Sequence, residues 1–451
     1  MAMIVRSEHD LPTVRVRMSR TYDRPSVDFE AVRGRGEVRQ VATVPVRDLG
    51  LPDRVEGTRS VSEAMFSLPP AVLDRLRDAA GDLGDSPAEP HEALWLELPP
   101  PRGALPLVPW ERLLAPVGRP LLRLPNHVLR PQASDTTLDV AICASTPTDE
   151  TPFHAAAELV RAAGVWRDRA GHEVTVHLFT DVDSVDETAS AAAGLGAGVR
   201  VHDPREGRRG DREGSYATAG PWLSWVRESL QGNAVDVVHV LAHGFLSGDR
   251  GALALASTPD RDSGAPTRLV DSAELLAFLG RVGAWSLVLS GPQRNYSPAG
   301  LRALGDAVAL ALPGVCLVHD LGDDPDASQL AATVGMVYAG VVGPAQPLPA
   351  VTSWVHPQFV EFPEEERYAR GMTEDGRSAL LGEATARVLD SAVTPAWVAA
   401  GARSLEAQQA EWLPSGSAAD MDPAAVTALE SVSSLLDRHV RAEVDDAGGA
   451  G

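Results

Sequence analysis

The sequence predicts an α/β fold in which helices cover both faces of a mainly parallel sheet, with an α+β module before it and a helical extension after it. Apolar runs alternate with helical spacing from residue 137 to 340, period-two patterns fill the first 50 residues, and only helical spacing continues beyond 350. Runs that are apolar on both faces are typical of strands between two helical layers. We therefore divide the chain into residues 1–134, 135–350 and 351–451.

The first unit, residues 1–134, combines strands with one helix. TVRVRMSR and EVRQVATVPVR alternate apolar and polar residues, as strands with one buried face do. Helical spacing follows in PPAVLDRLRDAAGDL, residues 69–83. Prolines then interrupt any longer element in LWLELPPPRGALPLVPWERLLAP. We predict a small α+β module whose last part leads into the next domain.

The central unit, residues 135–350, alternates predicted strands with predicted helices. The strands are LDVAICAS, HEVTVHLFT, GVRVHD, DVVHVLAHG, AWSLVLSG and GVCLVHDL. The helices cover 153–165, 219–230, 271–280, 299–311 and 327–340. In such sheets, ligands and catalytic groups lie just beyond the carboxyl ends of the strands.

The last unit, residues 351–451, is predicted to be helical at 376–390, 395–412 and 423–441, before a disordered tail, DDAGGAG. It carries 17 acidic residues and 7 arginines. Exposed helices with this charge attract cationic surfaces. We expect this extension either to cover the α/β core or to dock a basic partner.

Composition excludes several functions. No apolar run approaches the roughly 20 residues of a membrane helix, and MAMIVRSEHD lacks the apolar region of a signal peptide, so we expect a cytoplasmic protein without membrane contact. Two cysteines provide neither a disulfide framework nor a zinc site, and we predict no metal and no cofactor. The net charge of -22 argues against nucleic-acid binding. Because every basic residue is arginine, lysine chemistry is excluded.

A histidine is predicted at the tip of a central strand. In VVHVLAHGF, residues 237–245, five apolar positions precede His243, and the next strand, WSLVLSGPQRN, ends near Ser290 to Gln293. Neighbouring parallel strands lie about 5 Å apart, so side chains beyond their ends can meet. A histidine about 50 residues before a nucleophile is the arrangement of caspases. Position 292 lies 49 residues after His243.

The sequence resembles the CHAT family, a bacterial branch of the caspase-like cysteine peptidases, over roughly residues 95–340. VPWERLLAPVGRPLLRLP is similar to the segment that leads into the family's domain, and DVVHVLAHGF to its histidine strand. GALALAS with LVDSAELLAFL is similar to its hairpin and helix, WSLVLSGPQRN with AGLRAL to its nucleophile strand and helix, and GVCLVHDLGDDPDASQL to its last strand with an acidic turn. The resemblance implies a caspase-like three-layer α/β/α fold.

The resemblance places His243 at the general-base position and Pro292 at the position of the nucleophilic cysteine. Proline has no thiol, no hydroxyl and no backbone N–H, so it can neither attack a carbonyl nor donate to an oxyanion. Ser290, which lies two residues before Pro292 on the same strand, is an alternative nucleophile. Cys143 and Cys316 lie within apolar runs and are predicted to be buried, inert thiols.

Other polar and aromatic residues allow two interpretations. Gln293, Arg294, Asn295 and Tyr296 at the strand tip suit ligand binding. Within the acidic turn of Asp320, Asp323, Asp324 and Asp326, the carboxylates either bind a cationic group, for which Asp324 and Asp326 are the candidates, or lie in solvent with one of them capping the helix near Ala327. His239 is predicted to be a hydrogen-bonded core residue, and Trp222 and Trp225 to be packing residues.

Two functions follow from these residues. The first is a catalytically inactive caspase-like protein that binds a protein or peptide partner; the family implies an active peptidase or effector as the partner, within a bacterial defence or signalling assembly. The second is a peptidase or other hydrolase that uses Ser290 with His243. Pro292 favours the first.

Overall fold

The computed structural model describes most of the chain up to residue 356. The described residues are 12–21, 24–32, 38–51, 63–83, 93–125, 137–150, 152–196, 198–206, 220–261, 264–292, 297–312, 314–339 and 346–356. Apart from residues 351–356, the predicted helical extension lies outside the described residues.

The strands of the described chain fall where apolar runs and alternating patterns occur. In order they are β1 (Thr13–Thr21), β2 (Arg24–Val32), β3 (Val38–Pro45), β4 (Leu94–Glu97), β5 (Leu121–Arg123), β6 (Thr137–Ala144), β7 (Glu173–Thr180), β8 (Val199–His202), β9 (Val237–Leu241), β10 (His243–Ser247), β11 (Arg250–Ala256), β12 (Thr267–Val270), β13 (Ser286–Gly291), β14 (Cys316–Asp320) and β15 (Val351–Trp354).

The α-helices of the described chain lie between these strands. In order they are α1 (Pro70–Leu83), α2 (Trp110–Leu113), α3 (Ala155–Arg169), α4 (Val182–Ala192), α5 (Pro221–Ser229), α6 (Ser272–Val282), α7 (Ser297–Ala309) and α8 (Ser328–Tyr338). The predicted strands β6, β7, β8, β9, β13 and β14 are confirmed. Helices α1, α3, α5, α6, α7 and α8 are also confirmed, whereas α2 and α4 were not predicted.

One large sheet organises the fold. Its strand order is β3-β2-β1-β4-β5-β15-β14-β13-β9-β6-β7-β8. Eight of the eleven neighbouring pairs are parallel, and the three antiparallel pairs are β1 with β2, β2 with β3, and β14 with β15. Strands β10, β11 and β12 form a second, antiparallel sheet. The predicted mainly parallel sheet is therefore confirmed.

Helices cover the central sheet on both faces, which gives three layers. Trp166 of α3 and Val334 of α8 belong to one apolar core, whereas Trp222 of α5, Phe278 of α6 and Leu304 of α7 belong to another. Every residue of β9 and β13 is buried between these layers. The apolar runs on both faces of these strands are explained by this double coverage.

The direction of the chain reverses at the centre of the sheet. The chain runs outward through β6, β7 and β8 and then returns to the other side of β6 as β9. Such a reversal opens a crevice at the carboxyl ends of the two strands that flank it. Ser145 follows β6 at this point, and its amide donates to the carbonyl of Leu241 at the end of β9 (3.2 Å). His243 therefore lies beside the switch point.

The strands of the first unit continue the central sheet. β1 pairs with β4, β4 with β5, and β5 with β15 through Arg123 and Trp354. On β1, Val14 and Val16 are buried in a third core, while Arg15 and Arg17 on the opposite face are more exposed, as the alternating sequence predicts. One sheet thus spans two predicted units. Their boundary at 134/135 lies outside the described residues and stays a prediction.

Candidate functional site

His243 lies at the carboxyl end of β9, as predicted, two residues beyond the last residue of that strand, and is the first residue of β10. Its side chain is buried, and its ring lies edge-on to that of Phe153, with 6.1 Å between the ring centroids. Phe153 precedes α3 and packs against the core on the α3 and α8 face. The imidazole therefore faces this layer.

Pro292 lies at the same level on the neighbouring strand. β9 and β13 are parallel neighbours, with Leu241 opposite Ser290, and the amide of Ala242 donates to the carbonyl of Ser290 (3.1 Å). His243 and Pro292 each lie two residues beyond this pair. Pro292 is buried, so the tip of β13, next to the tip of β9, carries a ring without any nucleophilic group.

Ser290 is held inside a buried chain of hydrogen bonds, which we call the relay. Trp166 Nε1 donates to His239 Nδ1 (3.2 Å), His239 Nε2 lies 2.7 Å from Ser290 Oγ, Ser290 Oγ lies 3.1 Å from His319 Nδ1, and His319 Nε2 lies 3.1 Å from Asp324 Oδ2. All five side chains are at most 2 % exposed. The relay crosses from α3 through β9, β13 and β14 to the turn before α8.

The chemistry at the two ends of the relay fits a single direction of donation. An indole N–H only donates and an ionised carboxylate only accepts. With Trp166 and Asp324 at the ends, His239 donates to Ser290, Ser290 donates to His319, and His319 donates to Asp324. Every donor then has an acceptor, and the Ser290 hydroxyl both donates and accepts within the relay.

Burial and hydrogen bonding set the charge states in the relay. Burial, and to a smaller degree nearby His319, lower the pKa of His239 to about 3, so this imidazole is neutral at neutral pH. Burial alone raises the pKa of Asp324, but hydrogen bonds from His319 and from the amides of Leu330 and Gln329 lower it, and the net shift is downward. The relay therefore ends on an ionised carboxylate. The prediction that His239 is a hydrogen-bonded core residue is confirmed.

The carboxylates of the acidic turn after β14 bond to other groups of the protein. Asp324 accepts from the amides of Gln329 and Leu330 (3.0 Å each), which confirms the prediction that one aspartate caps this helix. Asp326 accepts from the amide of Ser328 (3.2 Å), and Asp323 pairs with Arg112. Asp320 accepts from the amide of Gly322 (2.9 Å). The predicted role of Asp324 and Asp326 in binding a cationic ligand stays a prediction.

A small pocket adjoins the strand tips on the side of α7. Gly291, His319 and Asp320 line it together with Glu111 and Arg302. It leaves about 20 Å³ to the centres of water molecules, which is room for about one water.

Two of the predicted residues are buried thiols. Cys143 and Cys316 are 1 % and 0 % exposed, and burial raises the pKa of both thiols. The predicted burial is confirmed. Trp222 and Trp225, at 2 % exposed each, are also confirmed as packing residues, and Trp222 Nε1 donates to Asp181 (2.8 Å).

We expect both thiols to react only after unfolding. A thiol reagent added to the native protein at neutral pH should label fewer than about 0.1 thiols per chain over an hour, because the thiolate is scarce and the sulfur is covered. The same reagent in denaturant should label both cysteines. Rapid native labelling of either would contradict this account and identify a reactive thiol.

The remaining predicted binding residues, Gln293, Arg294 and Asn295, lie outside the described residues, as does Tyr296. Sequence reasoning missed His239 and His319 as partners of Ser290, and Trp166 as the partner of His239. Strand periodicity contains a partial signal, because His319 lies directly opposite Ser290 on the neighbouring parallel strand. In this structure the Ser290 hydroxyl therefore bonds to His239 and His319. The catalytic pairing of Ser290 with His243 stays a prediction.

Comparison of the sequence with protein-family models gave no match, and neither did a search of curated proteins. Among the described residues, no three histidine, cysteine, aspartate or glutamate side chains come together in a way that could hold a metal ion. Within the described ranges, no helix combines the length and apolar character needed to cross a membrane.

Proposed function

We propose that this chain is a catalytically inactive caspase-like protein of the CHAT type, which binds a protein or peptide partner at the strand tips that carry His243 and Pro292. The observation that carries the proposal is the buried Pro292 beside the tip that bears His243. This is the placement that the sequence resemblance assigns to a histidine and cysteine pair. Proline supplies no atom that could attack a carbonyl.

The proposal includes two further elements that rest on the resemblance and on composition. The partner is an active peptidase or effector within a bacterial defence or signalling assembly. The location is the cytoplasm, which the two unpaired cysteines favour because disulfides are rare in that compartment.

A second candidate function is a serine hydrolase, and one observation favours it. Ser290, His319 and Asp324 follow one another by hydrogen bonds of 3.1 Å each, the order of a serine, histidine and aspartate triad. Two facts weigh against it: Ser290 is 1 % exposed, and its oxygen also receives a hydrogen bond from His239. A donor on the oxygen reduces its nucleophilicity, so we place this function second.

Restoring a thiol at the strand tip tests the first proposal. In the variant Pro292→Cys, we expect an electrophilic peptide ketone to label position 292, because a neighbouring imidazole lowers the pKa of a thiol below about 8.5. Adding His243→Ala should lower the labelling rate at pH 7 by about tenfold or more. Intact mass and peptide mapping locate the label.

Two controls accompany this experiment. Pro292→Ala makes the same main-chain change without a thiol and shows whether the fold tolerates it. The buried Cys143 and Cys316 provide internal thiols that should stay unlabelled. Equal labelling of Pro292→Cys with and without His243 would contradict the proposal, since the two positions would then not form one site.

A further inference from the structure

We propose that the relay positions the tip of β13, so that Ser290, His319 and Asp324 are positioning residues for the strand tips that carry His243 and Pro292. This inference rests on the proposed function, because the strand tips matter only if they form a binding site. Its test needs neither catalytic activity nor a bound partner.

The backbone and the side chain of Ser290 are fixed in different directions. Its carbonyl accepts from the amide of Ala242, the residue before His243 (3.1 Å). Its hydroxyl is held between His239 on β9 and His319 on β14. Ser290 is the last residue of β13 paired with β9. It therefore links both neighbouring strands two residues before Pro292.

The far end of the relay fixes the turn that follows β14. Asp324 joins His319 to the first turn of α8 through the amides of Gln329 and Leu330. The same turn returns to β13, because the amide of Leu321 donates to the carbonyl of Gly291 (3.0 Å). Gly291 immediately precedes Pro292, so the relay and this backbone bond together hold the tip.

Losing the hydroxyl of Ser290 affects more than one bond. An alanine would leave the Nε2 donor of His239 and the Nδ1 acceptor of His319 without their partner, among side chains that are at most 2 % exposed. A buried polar group without a partner is costly, and members of a network depend on one another. We expect the imidazoles to move and the tip to loosen, while the rest of β13 stays paired.

The chain offers a matched control for Ser290→Ala on the same strand. Ser286 lies four residues earlier on the same face of β13 and is 0 % exposed. Its hydroxyl donates to the carbonyl of Val315 (3.2 Å) and also bonds the Tyr338 hydroxyl. Four residues of a strand span about 13 Å. Ser286→Ala thus removes a buried hydroxyl from the same strand, away from the tip.

Amide hydrogen exchange in the otherwise native chain tests the proposal. In Ser290→Ala, the amides of Ala242 and Leu321 should exchange about tenfold faster than in the wild type, whereas the amide of Leu287, bonded to Val315 (2.9 Å), should change less than about twofold. Ser286→Ala should leave the Ala242 and Leu321 amides unchanged. If Ser290→Ala does not fold, His319→Asn breaks the link to Asp324 and should give the same pattern.

A chemical readout separates positioning from mere stability. In the Pro292→Cys background, Ser290→Ala should raise the pKa of the new thiol toward its ordinary value, and Ser286→Ala should not, because misplacement by about 1 Å is enough to lower reactivity strongly. Uniform acceleration of exchange at all three amides, or equal effects of the two alanine variants, would overturn the proposal. If the three amides exchange as expected but His243 does not lower the pKa of the thiol introduced at position 292, the proposed function is refuted. The positioning role of the relay then still stands.

Discussion

Glu111→Gln should lower the free energy of unfolding by about 3–5 kcal/mol, because it leaves a buried guanidinium without its counter-ion. Arg123 and Glu111 are 1 % and 4 % exposed and form a bidentate pair at 2.7 and 2.8 Å. Thr352 of β15 also donates to Glu111 (3.0 Å), and the Arg123 guanidinium lies 4.9 Å from the centroid of a Trp354 ring. Urea unfolding measures the change.

The loss in the free energy of unfolding is informative because the pair of Glu111 and Arg123 joins separate parts of the fold. Glu111 lies in α2, Arg123 on β5 and Thr352 on β15, where the first unit joins the central sheet. Asp74→Asn is the matched control, because it breaks an exposed pair with Arg77 and should cost less than about 0.5 kcal/mol. Replacing both partners, Glu111→Leu with Arg123→Met, should restore most of the stability. A loss below about 1 kcal/mol for Glu111→Gln would contradict the structure at this junction.

Acid should destabilise the fold from about pH 6.5 downward, well above the range in which carboxylates titrate. Burial lowers the pKa of His239 to about 3, against an ordinary value of 6.5. The unfolded chain therefore binds a proton that the folded chain excludes, so stability is retained above pH 6.5 and lost as the pH falls toward 3. The loss from His239 alone is about 2 kcal/mol at pH 5 and about 4–5 kcal/mol at pH 3.

Unfolding curves in urea at several pH values test this expectation. Burial, His177 and Arg200 also lower the pKa of His202, to about 4, so this residue adds loss of the same sign. His239→Gln should lower stability at pH 7 yet reduce the further loss between pH 7 and 5 by about 2 kcal/mol. His154→Gln, which changes an exposed imidazole, is the matched control. An unchanged pH dependence in His239→Gln would contradict a neutral buried imidazole.

The sequence alone was enough to predict the central layers. Strands such as β9 and β13 are apolar at nearly every position because helices cover both of their faces, and this pattern is local. The tip positions of His243 and Pro292 followed from the same pattern, since they come directly after the apolar runs. The sequence also predicted that one aspartate of the acidic turn caps α8, although it did not indicate that this residue is Asp324.

The features that the sequence did not predict depend on pairing between distant strands. Strand β1 pairs with β4 about 80 residues later, and β5 meets β15 about 230 residues later, so the first unit extends the central sheet. The relay likewise requires His239, Ser290 and His319 to face one layer on three adjacent strands. The periodicity of the sequence predicts that each of these residues is buried, but only the register between the strands brings their side chains together.

The most direct test of the proposal that this site has lost its nucleophile uses the unaltered protein. The chain is incubated with a fluorophosphonate, which traps activated serines, and separately with a peptidyl ketone electrophile that traps activated thiols, and its intact mass is then measured. We expect no adduct from either reagent, because Pro292 has no nucleophilic atom while Ser290, Cys143 and Cys316 are buried. A stoichiometric fluorophosphonate adduct that disappears in Ser290→Ala would contradict this account and establish a serine hydrolase.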